Sequence, residues 1–253
     1  MKKMLAILLV LVMVLAMAAC SKPVETPNGS NATTDTNAST ATVATTGSEP
    51  DVKKVTHEEF MAAPMDTTVT VVTYVQATQS WWDNKITAYC QSQDGAFFAY
   101  EMACSEEDAA KLVPGTKIEI TGVKGEWSGE VEIMDGVFKF VEGGDTFIAE
   151  AFDATALLGT DDLIKHQNEK VAFKGLTVEK IEYKNGEPGD DIYVTLSLNG
   201  ASYNFCVERY LTGPETDLYK AFATLETGKT VDVEAFLYWY EGANPHITNI
   251  TVQ

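Results

Sequence analysis

The chain has 253 residues, 45% of them hydrophobic, and a formal net charge of -19 at neutral pH. That apolar content is enough for ordinary cores, and the length suits one large or two small domains once a leader is set aside. Acids outnumber bases in both halves, and Arg209 is the one arginine in the sequence. The composition therefore excludes a nucleic-acid partner as an expectation, because such binding depends on Lys and Arg neutralising phosphates.

Met1, Lys2 and Lys3 form a basic start, Met4–Met17 is an unbroken apolar run, and Ala18 and Ala19 precede Cys20. This pattern is that of a secretory signal, residues 1–19, too short for a comfortable membrane span. A Cys directly after two Ala resembles the lipobox of bacterial lipoproteins, with Met17 where that family usually has Leu. The resemblance implies that Cys20 carries a thioether-linked lipid and becomes the new N-terminus. The protein is then expected on the outer face of the cell membrane, its membrane contact made through the lipid. Residues 20–50 are rich in Ser, Thr, Asn and Ala and hold no aromatic residue. Such a segment buries too little apolar surface to offset the entropy of ordering, so a flexible tether is expected. Its root-mean-square reach is about 30 Å.

The first module is expected over residues 51–154. Thr56 with Glu59 three residues on is a capping box that opens one or two helical turns ending near Pro64. Val69–Gln76 alternates and is β-branched, as a strand should be. Lys85–Gln91 and Ala96–Met102 are two more strands, joined at Asp94-Gly95, a strong hairpin signal. Counting back from that turn places Cys90 opposite Ala99. Ser105 caps a short acidic helix that Pro114-Gly115 stops. Lys117–Val123 alternates cleanly, Glu130–Met134 and Val137–Val141 continue the sheet, and Phe147–Phe152 is placed as a strand leading out.

The same order returns in a second module over residues 155–253. A short helix starts at Thr160 and ends near Asn168, and Val171–Lys180 is the long first strand. Asp191–Leu198 and Ala201–Val207 form a hairpin around Asn199-Gly200. A helix follows Gly213-Pro214, Gly228–Glu234 repeats the pattern Gly115–Thr121, and His246–Val252 closes the chain. Long strand, hairpin, short helix, hairpin is the order of the five-stranded OB barrel. The expected fold class is all-β with short helices: two tandem OB-fold-like five-stranded barrels behind a signal peptide and a disordered linker. In that fold the first strand bends at a Gly or a bulge; Gly175 fits in the second module, while the first has Thr73 there.

The chain also resembles a group of OB-fold lipoproteins of Gram-positive anaerobes. The residues that carry the likeness are Tyr74–Ala77, Trp81-Trp82-Asp83, Ala103–Asp108, Gly115–Ile118 and Gly125–Glu130, all in the first module. The likeness implies fold and address and brings no activity with it.

With Cys20 lipidated, Cys90, Cys104 and Cys206 remain, and free buried thiols are the expected state. His57, His166 and His246 are too scattered for zinc, and no phosphate loop, nucleophile elbow or calcium ladder occurs. No metal, cofactor or catalytic residue is assigned. The informative cluster is aromatic. Trp81 and Trp82 fall between the first two strands, and Trp127 falls in the turn between the last two. OB barrels usually bind ligands with these loops and the face of strands two and three, here bearing Phe98 and Tyr100. Trp239 and Tyr240 occupy the matching turn of the second module. The expected function is a non-enzymatic, lipid-anchored binding module for a glycan or protein. Two other readings stay open: a structural spacer with buried aromatics, and a hydrolase whose carboxylates meet only in space.

Overall fold

A computed structural model describes residues 53–253. The signal segment, Cys20 and the linker of residues 20–50 lie outside the described residues.

Helix α1 (His57–Ala62) begins where the capping box places it. The Thr56 hydroxyl accepts the Glu59 amide, and the Glu59 carboxylate accepts the Thr56 amide. The helix buries Phe60 against Phe97 of the first barrel. Five strands build that barrel: β1 (Thr68–Thr78), β2 (Lys85–Ser92), β3 (Gly95–Ala103), β4 (Lys117–Trp127) and β5 (Glu130–Phe140), with the single-turn α2 (Glu106–Ala109) between β3 and β4. Hydrogen bonding closes the ring in the order β1-β2-β3-β5-β4, with β3 and β5 parallel and the other pairs antiparallel. Val71, Val75, Met102, Ile118, Ile120 and Ile133 fill it. This is the OB strand order.

Three details correct the sequence reading. Ser92 pairs with Gly95, so the turn is Gln93-Asp94 and Cys90 faces Phe97 rather than Ala99. Residues 130–141 were expected as two strands but form the single β5. It bends at Asp135, whose φ is 50°, beside a register shift opposite Thr121 and Val123. Gly136 lets the bend close, since a Cβ there would lie 2.9 Å from Met102 Cγ. Third, Phe147–Phe152 does not become a strand. The Gln76 amide group takes its backbone instead, donating to the Phe147 carbonyl at 3.1 Å and accepting from the Ala149 amide at 2.8 Å. Only Phe152–Asp153 (β6) pairs, parallel to the next strand.

The second barrel comprises β7 (Lys170–Tyr183), β8 (Ile192–Leu198), β9 (Ala201–Val207), α3 (Asp217–Thr224), β10 (Thr230–Phe236) and β11 (His246–Val252), preceded by 3-10 turns at Thr155–Leu157 and Asp161–His166. β10 bonds to both β11 and β7, β11 to β9, β9 to β8 and β8 to β7, so this ring also closes, with β6 added beside β7. Gly175 supplies the expected bend: its φ is 67°, and the β7–β10 register slips there. The first barrel does without a glycine, bending at a bulge between Val75 and Ala77. The chain is thus all-β with short helices, built from tandem OB-like barrels.

Candidate ligand-binding cleft

The outer face of β2 and β3, where an OB barrel usually takes a ligand, is covered in the first barrel. Tyr89 of β2 stacks on Phe236 at 4.6 Å between ring centres, and Phe98 of β3 meets Tyr238 edge-on at 5.2 Å. The Tyr89 hydroxyl lies 2.6 Å from Nδ1 of His246 and accepts a hydrogen bond from Gln79 Nε2. Burial holds His246 neutral, lowering its pKa to about 3. Polar ties surround this patch. Lys170 N donates to Gln91 Oε1 at 2.8 Å, Gln167 Nε2 to the Gly129 carbonyl at 2.8 Å, Asn168 Nδ2 to the Val131 carbonyl at 3.2 Å, and Trp239 N to Glu130 Oε2 at 2.8 Å.

The predicted aromatics therefore separate into three places. Phe98, 3% exposed, belongs to the contact between barrels and is not available to a ligand. Trp81 packs on the first core and donates Nε1–H to the Cys104 carbonyl at 2.9 Å, whereas its neighbour Trp82 is 79% exposed. Trp127 (61% exposed) and the half-exposed Tyr240 lie where the β4–β5 turn meets the β10–β11 turn. There Glu241 N donates to the Ser128 carbonyl, and the Trp239 ring covers Gly129.

Trp82 and Tyr100 come together in a cleft of about 670 Å³ bounded by both barrels. The β1–β2 loop supplies Gln79, Ser80, Trp82 and Asp83; β2 and β3 supply Lys85, Thr87, Tyr100 and Glu101; the segment after β9 supplies Arg209 and Tyr210. Local geometry explains each wall. Trp82 and Lys85 exchange both backbone hydrogen bonds around Asp83 and Asn84, whose φ values are 47° and 60°. That is the two-residue turn with both central residues left-handed, which Asp and Asn tolerate best. It holds Trp82 out in solvent. On β3, Tyr100 and Glu101 together oppose Thr87, because Ile86 pairs with Met102 and Ala88 with Ala99. This bulge defeats the pleat, so two successive side chains both point outward. Glu101 takes a φ of 46°, and its amide donates to the Thr87 hydroxyl at 3.0 Å. On the far wall the buried Glu208 carboxylate accepts the Tyr210 and Leu211 amides, fixing the turn, and Ser80 N donates to the Tyr210 carbonyl at 2.7 Å.

The electrostatics are mixed. Lys85 Nζ sits 2.7 Å from Glu101 Oε2, and Tyr100 donates to Glu101 Oε1 at 3.0 Å. The Lys85 hydrogen bond holds the Glu101 carboxyl below its ordinary range, and Glu101 in turn raises Lys85. Arg209 lies with its guanidinium 5.0 Å over the Tyr210 ring. Lys85, Glu101, Asp83 and Arg209 carried no recognisable motif. The Asp83-Asn84 pair, unread in the sequence, is the local signal for a turn that displays Trp82.

Two features outside the cleft complete the site inventory. Cys90, Cys104 and Cys206 are free and buried, and burial pushes the Cys90 thiol up to about 12. Among the described residues no group of three His, Cys, Asp or Glu is placed to hold a metal ion.

No protein-family model matches the sequence, and no curated relative does. Solved structures do resemble it. An asparaginyl-tRNA synthetase from Pyrococcus horikoshii, complexed with asparaginyl-adenylate, shares 18% identity over 33% of this chain at a TM-score of 0.28; the likeness spans only 19% of that synthetase. A murine DNA binding protein bound with ds DNA shares 15% identity, 72% of this chain and 94% of its own, at a TM-score of 0.35. A Replication Protein A heterotrimer bound to ssDNA shares 10% identity, 74% of this chain and 49% of its own, at 0.30. Likeness at this level carries no argument about what this chain binds. The exclusion of nucleic acid drawn from composition is nevertheless corrected: chains that resemble this one are seen with double- and single-stranded DNA. The physical flaw in the exclusion is that a charge summed over the chain does not give the field inside one cleft, and aromatic walls with an arginine also suit a stacked base.

Proposed function

We propose that this protein is a non-catalytic binding protein, held at the outer face of the membrane by a lipid on Cys20, and that a glycan or a protein segment seats in the cleft between its barrels. The observation that carries the reading is Trp82, 79% exposed on a two-residue turn at the mouth of that cleft. An exposed indole held by backbone hydrogen bonds loses little entropy when a ligand stacks on it. Tyr100 and Tyr210, 41% and 54% exposed, offer further faces, and short polar side chains between them supply hydrogen-bond partners. The lipid address rests on Met1–Cys20 alone.

Intrinsic Trp fluorescence of the secreted chain, titrated with cell-wall oligosaccharides, peptides and oligonucleotides, tests the cleft. A shift that Trp82→Ala abolishes supports it, and a shift that survives Trp82→Ala removes the cleft from the account. Globomycin treatment with a mass shift at Cys20 tests the address: an unlipidated mature chain contradicts it.

A further inference from the structure

Arg209 is the sole arginine of a chain with 37 acidic residues. Among the described residues it enters no ion pair; what its guanidinium touches is the ring of Tyr210. An arginine in so acidic a protein has carboxylates within easy reach, and its planar fork pairs with them two bonds at a time. Here the fork is left open on the wall of a cleft. Lys85, the other cation there, is already taken by Glu101 at 2.7 Å. The cleft thus offers one uncommitted positive group, exposed aromatic faces, and short hydroxyl and amide side chains such as Ser80 and Gln79.

We propose that the cleft recognises a uronic-acid unit of an anionic glycan, with Arg209 forking the sugar carboxylate and a ring of the cleft wall lying under the pyranose. This deepens the binding reading above and rests on it. Each part of such a ligand meets a matching group. The carboxylate meets the Arg209 guanidinium, the flat C–H face of the ring meets Trp82, and the hydroxyls meet Asp83 and the neutral polar side chains. A neutral sugar leaves Arg209 without a purpose.

The test uses the mature chain with fluorescence and calorimetric titration. The probes are oligogalacturonate, oligomannuronate and oligoglucuronate, the methyl ester of the best uronate, a neutral cello-oligosaccharide and an oligo-dT. The expected result is that at least one uronate binds about tenfold or more tighter than its methyl ester. Arg209→Gln should abolish that preference while the unfolding midpoint stays unchanged, and Trp82→Ala should weaken acid and ester alike. Equal affinity for acid and ester, or a preference that survives Arg209→Gln, overturns the uronate inference and leaves the cleft reading standing. Binding of the neutral sugar alone does the same. Tighter, Arg209-dependent binding of oligo-dT replaces the uronate with nucleic acid. No response to any carbohydrate overturns the uronate inference, and the peptide titration above then decides the cleft separately.

Discussion

Glu130 should make stability fall as the solution becomes alkaline. It sits at the start of β5, fully buried where the two barrels meet, with Oε2 accepting the Trp239 amide. Its Oε1 has no hydrogen-bond partner among the described residues, while Oε2 also takes Gln167 Nε2 at 3.4 Å. A buried carboxylate oxygen without a donor favours the protonated form. Burial raises the Glu130 pKa from 4.5 to about 8, helped by the negative charge of Glu132. The other titratable group facing it is Tyr238, itself pushed up by burial. Below the unfolded value both states hold the proton and the folded state loses nothing. Above it the unfolded chain releases its proton while the folded chain keeps it, so stability drops until the folded value is passed. At about 1.4 kcal/mol per pH unit the whole loss is on the order of 5 kcal/mol. His246 works in the opposite direction, losing stability as the solution acidifies from 6.5 toward about 3, so the two slopes overlap on the acid side. From near neutrality to about pH 8.5 the His246 slope is gone, and the tail of Glu132, raised by burial to about 7, is carried by both chains and drops out of the comparison. Glu130→Gln keeps the shape and supplies a permanent donor. Urea unfolding of both chains should show the wild type losing ~1–2 kcal/mol more than the variant across that window. Parallel pH profiles would refute the reasoning, because they would mean Glu130 is ionised in the native state or already paired.

Phe236→Ala removes the ring stacked on Tyr89 and should cost about 3–5 kcal/mol, separating one thermal transition into two if the patch couples the barrels; a single transition with a small midpoint change contradicts that role. Gly129→Ala meets two obstacles, a φ of 95° and a Cβ only 2.7 Å from Trp239 Cδ1. It should lose ~1–3 kcal/mol and shift Trp emission, and an unchanged spectrum and midpoint would count against the turn-to-turn contact. Native protein should leave Cys90 and Cys206 unmodified by a neutral disulfide reagent until denaturant is added, since burial raises both thiols well above their ordinary range; rapid reaction of the folded chain is the contrary result.

The architecture was legible because it rests on local rules. Alternation in Lys117–Val123, the turn dipeptide at Asn199-Gly200 and the capping box at Thr56 each fix one element, and together they fix the barrel order. The site was half legible. Trp82 was legible only as a loop residue between the first two strands, alongside Trp81; the Asp83-Asn84 turn faces Trp82 outward while Trp81 packs on the core. Phe98 was misplaced because its burial depends on Phe236 and Tyr238, more than a hundred residues away, and nothing local records a face covered by the second barrel. Arg209 and Tyr210 escaped for the same reason: only the docking of the two barrels brings them opposite Trp82. The bulge that exposes Tyr100 and Glu101 together breaks alternation by one residue, which a period-two reading cannot see.

The central claim is that ligand enters at Trp82 and not at the other exposed tryptophan. Titrating the best carbohydrate ligand against Trp82→Ala and Trp127→Ala in parallel measures it directly. A dissociation constant raised about tenfold or more by Trp82→Ala, and within about twofold of wild type for Trp127→Ala, is the result expected. The reverse order would place binding at the junction of the two turns and leave the cleft empty.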